Sequence, residues 1–442
     1  MNSEQGALIN RLNDPAREKR LAAAREVGSL IAEGALSVKQ TDEVNNHVHT
    51  IYSFSPYSPT MAAFKAWEAG LKAVGIMDHD SVAGCEEMIE AGKRLGIAAT
   101  AGFELRVNFS GTKLEGKKIN SPDSDNIAYI AIHGIPHTKF GDAEAFLEPL
   151  NEYRNERNQV QVRKLNEIIT SYGMDPIDFY TDVYPLSQAE EGGSITERHI
   201  LFALVKKITA RSGKGKGVVS FLETTLNISI PKTVREYLLD ADNPHYQYDL
   251  LGLLKSSFLP LIFEQPDYDE CPSVFSVVDF VKQIGAIPAY AYLGDVSESP
   301  TGDKKAQKFE DDFLDELIDE ITRIGFKAVT YMPPRNSAEQ LERIQRLCKE
   351  HDLMEISGVD INSSRQTFNC PIILDPRFIH LADATWALIA HEKMATEWGS
   401  DYALFSEGSP LKTLPLKEKI EKYSTIGRAL DPRNPEKIPE WE

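Results

Sequence analysis

His47 and His49 stand two residues apart at the end of an apolar run, and Asp78, His79 and Asp80 close the next one. Side chains at i and i+2 on a strand share a face, so the two imidazoles point the same way. Neutral imidazole is the commonest protein metal ligand. An HxH pair alone is as readily structural as functional; the second cluster turns the reading toward metal. Glu104 ends a third apolar run, His133 a fourth and Asp360 a later one. Imidazole nitrogen and carboxylate oxygen suit hard or borderline divalent ions, and a carboxylate can bridge two of them, a part Glu104 is placed to take. Such a centre generates hydroxide at neutral pH and clamps a phosphoryl oxygen. Asp80, just before Ser81-Val82-Ala83-Gly84, is read first as a helix N-cap.

These residues act together only if the chain brings the run ends to one place. Apolar runs near 44–49, 73–77, 97–105, 127–133, 286–292, 327–332 and 353–360 are separated by amphipathic stretches. That is the rhythm of βα units around a parallel sheet, with seven candidate strands. In an α/β barrel the C-terminal strand ends form one rim, where such residues converge. A helix over about Thr60–Gly70 carries Met61, Phe64, Trp67 and Leu71 at near-helical spacing, which makes its aromatics core. Residues 1–44 read as a two-helix clasp, with Asn13-Asp14-Pro15 favouring a helix start. Residues 140–255 interrupt the rhythm with charged helical sequence, notably 143–173 and 196–208. The basic run Arg211-Ser212-Gly213-Lys214-Gly215-Lys216-Gly217 lacks phosphate-loop spacing and reads as a solvated loop. A last helix spans about Asp383–Glu397, and His380 and His391 there lack ligand-like neighbours.

Composition limits the partners. The formal net charge of −19 over 442 residues argues against a general nucleic-acid or anionic-membrane surface. An anionic substrate therefore needs local positive charge, which a divalent metal would supply. Cys85, Cys271, Cys348 and Cys370 form no CxxC pair and read as buried thiols of a reducing compartment. The first twenty residues lack an apolar signal core, and no apolar run nears the roughly 18 residues a membrane span needs, so a cytoplasmic protein is expected.

His47-Val48-His49-Thr50, Asp78-His79-Asp80 with Ser81-Val82-Ala83-Gly84, Gly102-Phe103-Glu104 and His133 resemble successive motifs of the polymerase and histidinol phosphatase (PHP) family of metal-dependent phosphoesterases. Gly285-Ala286-Ile287-Pro288, Ser337-Ala338-Glu339-Gln340 and Gly358-Val359-Asp360 extend the similarity over roughly 44–365. The resemblance implies a distorted (β/α)7 TIM-like barrel with up to three metals on its C-terminal rim. It assigns His47, His49, Glu104 and Asp360 to the first metal, and Glu104 with His133 to the second. Where the family carries Ala-His-Pro, this chain has Ala291-Tyr292-Leu293. For the third site His79 is present, but Phe54 and Asn362 replace the usual acid and histidine, and Asn336 stands where members often have histidine. One or two ions of Zn, Mn or Fe are thus expected, and the third site lacks its set. Tyr292 as a phenolate, His137 or His199 are available for the missing second-site ligand, and the sequence does not choose among them. Arg198-His199 resembles the Arg-Pro-His stretch that larger members place near substrate, which implies anion binding there, with His79 or His199 as proton donor. The hydroxyls and aromatics of Ser53–Pro59 are further candidates to line the pocket.

The expected organisation is an α/β chain with a helical extension over 1–43, a PHP barrel over 44–370 that includes the 140–255 insertion, and a helical extension over 371–442. The expected function is a metal-dependent hydrolase, a phosphoesterase acting on a small phosphorylated metabolite or nucleotide. The alternatives are a catalytically weakened barrel that binds an anionic ligand, and a metal-dependent amide hydrolase. A small anionic substrate is the expected partner, and the sequence is silent on oligomeric state.

Overall fold

The computed structural model describes residues 3–121, 123–296 and 308–439. Among the described residues there are nine strands: the run 97–105 is split by one residue and its second strand continues to Asn108, and a short strand, Asp78–His79, lies just past the run 73–77. They are β1 (Val44–Val48), β2 (Ala73–Ile76), β3 (Asp78–His79), β4 (Ala98–Thr100), β5 (Gly102–Asn108), β6 (Ile127–His133), β7 (Ile287–Tyr292), β8 (Ala328–Tyr331) and β9 (Met354–Ser357). One sheet has the order β1-β2-β4 and the other β3-β5-β6-β7-β8-β9. Only Met77 separates β2 from β3, and only Ala101 separates β4 from β5, so each pair carries one sheet into the other. Beyond β9 the backbone returns to β1: His49 N–H donates to Ile361 O and Ile361 N–H to His47 O. This close approach needs Gly358, where a Cβ would lie 2.5 Å from His47 Cβ.

The chain is thus an α/β protein, but its sheet is not wholly parallel. β6 runs antiparallel to both β5 and β7. Parallel neighbours need a crossover of a dozen or more residues, usually helical. The described residues between β5 and β6 contain no helix, and they let the chain turn straight back.

Helices α1 (Ser3–Asn10) and α2 (Arg17–Ala32) form the N-terminal pair. α2 starts two residues after Pro15 rather than at it, with Asp14 Oδ1 accepting from Ala16 N–H. α3 (Pro59–Glu68) begins at Ser58, whose hydroxyl accepts from Met61 N–H, and buries Met61, Phe64 and Trp67. α4 (Cys85–Leu95) follows β3. The helical stretch comprises α5 (Phe140–Ser171), α6 (Glu197–Ser212), α7 (Lys216–Thr224), α8 (Lys232–Leu239) and α9 (Tyr246–Ile262), ending beyond the expected residue 255. It has a core of its own, in which Leu165, Ile169, Leu204, Leu222, Leu250 and Leu254 are fully buried. α10 (Val274–Gln283), α11 (Leu314–Ile324) and α12 (Ala338–Glu350) accompany β7–β9 and bury Val277, Leu317 and Ile344 in the main core. α13 (Ile379–Trp398) and α14 (Leu416–Ala429) pack together at the end of the chain. All four cysteines are buried and free, and no described helix is long and apolar enough to cross a membrane.

Candidate metal centre

The alternation of β1 places His47 and, one step past its end, His49 on one face, and β5 delivers Glu104 opposite them. Ligand atoms of His47, His49 and Glu104 all lie within 4.8 Å of one another. His47 Nε2 is 3.4 Å from Glu104 Oε2, and His49 Nε2 is 3.4 Å from Glu104 Oε1. Asp360 joins from the loop after β9, its Oδ1 3.3 Å from His49 Nε2.

His49 is oriented from behind. Its Nδ1 lies 3.3 Å from Ser53 Oγ, and Ser53 donates its hydroxyl proton to Asp78 Oδ1 at 2.6 Å. Ser53 Oγ can therefore only accept from the ring, which puts the imidazole proton on Nδ1 and the lone pair on Nε2. A histidine held through its other nitrogen is the common arrangement of a metal ligand. His49 Nε2 is buried without a hydrogen bond and faces carboxylate oxygens. Acceptors converging on one point repel unless a cation stands between them, so this donor set of imidazole nitrogen and carboxylate oxygen fits a divalent ion.

The electrostatics agree. Burial pushes Glu104 up, but the charges of His79 and His47 and their hydrogen bonds outweigh it and hold the carboxyl well below its ordinary range. Asp360 is likewise held low against its burial by His49 and His47 in their protonated form, the alternative to a metal ion as the positive charge at this point. Burial opposes the charged form of His47, and Glu104 with Asp360 reverses that, raising it.

His133 is fully buried, with Nε2 unpartnered, but it sits differently from expectation. Because β6 is antiparallel, its last residue aligns with Gly102 and Ile287, near the starts of β5 and β7. His133 therefore lies inside the fold beneath Glu104, whose strand partner is Ala131, and outside the triad. Burial and the neighbouring His47 hold it neutral, down to about 3.

The DHD stretch is divided. His79 Nδ1 is 2.9 Å from Glu104 Oε1 and its ring stacks on His49 at 4.6 Å. Asp78 is consumed in structure, accepting from Thr50 N–H, Thr50 Oγ1 and Ser53 Oγ, all at 2.6 Å. Asp80 is not the cap of α4; Gly84 holds that position. Asp80 adopts φ +47° and pairs with Arg154 of α5 in the interior.

Three residues suggested for ligation or proton transfer are engaged by other partners, although Tyr292 lines the same cavity as the triad. Tyr292 gives its hydroxyl proton to Asp311 at 2.7 Å, and burial with the neighbouring acids raises the phenol far beyond titration, which opposes a phenolate ligand. His137 Nε2 is 3.2 Å from Glu392 of α13, with its ring stacked on Phe140. His199 is buried in the helical region against Phe54, its Nδ1 accepting from Thr196 N–H as the cap of α6, and burial holds it neutral, down to about 3. Asn362, where the family would place a ligand, donates Nδ2–H to Asp360 Oδ1 and accepts from Arg198 Nη1 at 2.8 Å. His391 is structural, bonded to Gly134 O and Leu404 N.

A cavity of about 250 Å³ opens beside the triad, lined by His47, His79, Glu104, Asp360 and Arg198, with Phe263 and Leu259 on an apolar wall. Arg106, Arg154 and Arg335 also line it and were not recognised in the sequence. Arg106 had a signal, since it shares a strand face with Glu104. Arg154 and Arg335, on a charged helix and a turn, had none.

A 5'-3' exoribonuclease of Haemophilus influenzae (strain ATCC 51907 / DSM 11121 / KW20 / Rd) is 32% identical over 71 residues, which are 16% of this chain and 26% of that protein. A candidate metal-dependent phosphoesterase structure from Bifidobacterium adolescentis aligns at 19% identity and a TM-score of 0.48 over 74% of this chain and 90% of its own. A Chromobacterium violaceum amidohydrolase structure aligns at 17% identity and a TM-score of 0.47 over 77% and 96%. The sequence pattern of the PHP domain matches residues 45–270, just over half of the chain, so the protein belongs to the PHP domain family.

Proposed function

We propose that the protein is a metal-dependent phosphoesterase acting on a small phosphorylated metabolite or nucleotide. The observation that carries this reading is the buried, unpartnered Nε2 of His49 aimed at Glu104 and Asp360, with Ser53 and Asp78 fixing its tautomer. His47, His49, Glu104 and Asp360 would hold the ion, and His133 is the reserve ligand for a second. A bound divalent ion supplies hydroxide at neutral pH and a Lewis acid for a phosphoryl oxygen. The chain's own groups do the rest. Arg198, half-buried at the start of α6, binds the anion. His79 lines the cavity and is the proton donor to the leaving group in this reading. Leu259 and Phe263 receive the organic remainder and keep water from it. In the same reading the two sheets form one distorted (β/α)7 barrel over 44–370, with the helical insertion beside its mouth and the extensions 1–43 and 371–442 outside it.

Tyr292 on Asp311 and Asn362 on Asp360 favour a second reading, a weakened barrel that binds an anion without turnover. Protein purified without chelators should hold at least about half an equivalent of Zn, Mn or Fe, because an intact ligand set retains metal. A panel of phosphate monoesters, phosphate diesters and amides with added Mn then decides. Phosphoester turnover abolished by His49→Ala supports the first reading; metal without turnover supports the second; amide turnover alone overturns both.

A further inference from the structure

The cavity's arginines fall into two kinds. Arg106 pairs with Glu270, and Arg154 with Asp80 and Glu270; Arg157, behind them, binds Glu197 and Glu270. Three guanidinium groups thus meet three carboxylates, and the cluster is neutral. Arg198 and Arg335 have no carboxylate partner among the described residues. Arg198 donates through Nη1 to Asn362 O and Oδ1, and Arg335 through Nε to Leu293 O at 3.3 Å. Each is held in place by neutral acceptors on one edge, and the other N–H groups of its fork have no hydrogen bond among the described residues. Both line the cavity that contains Asp360, Arg198 from the first turn of α6 and Arg335 from the turn after β8. Lys255 and Asp123, one charge of each sign, line it too.

On the metal-site reading above, Glu104 and Asp360 neutralise one divalent ion, so the two arginines leave a surplus of two positive charges facing the cavity. A phosphate monoester carries about −1.5 to −2 at neutral pH, whereas a diester carries only one negative charge. We propose that Arg198 and Arg335 form a clamp for a dianionic phosphate, so that the cavity takes terminal phosphomonoesters in preference to phosphodiesters. Arg335 is the new element of this clamp. Its fork suits two oxygens of one phosphate, a geometry that lysine does not reproduce.

The test is calorimetric binding to the full Mn-loaded chain at about pH 7.5, above the second phosphate pKa of about 6. The probes are methyl phosphate, a dianion, and dimethyl phosphate, a monoanion. Methyl phosphate is expected to bind at least about 10-fold tighter, the worth of one charge-assisted hydrogen bond. Arg335→Met should remove that advantage while leaving dimethyl phosphate within about 3-fold, Mn content unchanged and the melting temperature close to that of the parent; Arg335→Lys should restore only part. Equal affinities in the parent, or unchanged methyl phosphate binding in Arg335→Met, would overturn the clamp. If Arg335→Met does not fold, Arg335→Lys decides alone: weakened methyl phosphate binding supports the clamp and full retention refutes it. The outcome is separable from the proposed activity, because a chain that turns over no phosphoester but still discriminates the two probes loses the activity and keeps the clamp.

Discussion

The ends of β1 and of β3 both carry candidate ligands, but of those at β3 only His79 reaches the centre. At β1, His49 leaves its Nε2 without a protein hydrogen bond, and His47 and His49 converge on Glu104. At β3, Asp78 is saturated by Thr50 and Ser53, and Asp80 is locked to Arg154. Residue type marks both ends as chemical. Whether a polar atom already has a partner inside the protein separates a site that receives a ligand from one that holds a fold together. The two ends are also joined, since Asp78 fixes Ser53 and Ser53 fixes His49.

Substitutions should separate the two roles. The largest effect is expected from His49→Ala, which removes a ligand and should lower metal affinity by more than the roughly 100-fold ceiling of changes behind a ligand, with little loss of folded stability. Metal analysis and a melting curve check it, and metal retained at parent level would erase the distinction drawn for β1. Asp80→Asn should do the reverse. It keeps shape and tolerates the positive φ, but it leaves Arg154 with Glu270 alone in the interior, at a cost of about 2 kcal/mol in denaturant unfolding with metal binding unchanged. Burial already pushes the Asp80 carboxyl upward against the pull of Arg154 and Arg106, so this pair is maintained at a cost, and the loss follows from a cation left with one carboxylate in place of two.

Asp78→Asn tests the connection between the ends. It should lower metal affinity by about 10-fold to 100-fold through a misdirected His49, an effect on the centre from a residue outside it. Unchanged affinity would show that Ser53 orients the ring unaided.

A third strand end, beyond β7, supplies the most specific case. Glu310 is fully buried; burial raises its carboxyl to about 7 even though Leu293 N–H and Gly294 N–H bind it. Its folded value lies above its unfolded one, so the folded state holds the extra proton between about pH 4.5 and 7. Stability should therefore fall as pH rises through that window, by up to about 3 kcal/mol from this group. Glu310→Gln should flatten that part of the stability profile, and a slope identical to the parent's would assign it to other groups.

Much of this was legible before any tertiary contact was known. The alternation that puts two imidazoles on one face, the seven apolar runs and the order of the motifs are local or nearly local properties, and they identified the strands and the family. The partners of the charged groups were not legible, because they come from distant parts of the chain: Arg154 reaches Asp80, Arg106 reaches Glu270, and Arg198 reaches Asn362 across 164 positions. Asp80 looked like a cap because capping residues are recognised from a few neighbours, whereas its buried cation arrives from α5. The reversal of β6 likewise turns on the helix that the described residues between β5 and β6 do not form, and it sets where His133 points. The sequence by itself determined which atoms could bind a metal. Tertiary structure decided which of them were left without a partner, because the desolvation that makes an unpaired polar group costly exists only once distant segments have closed around it.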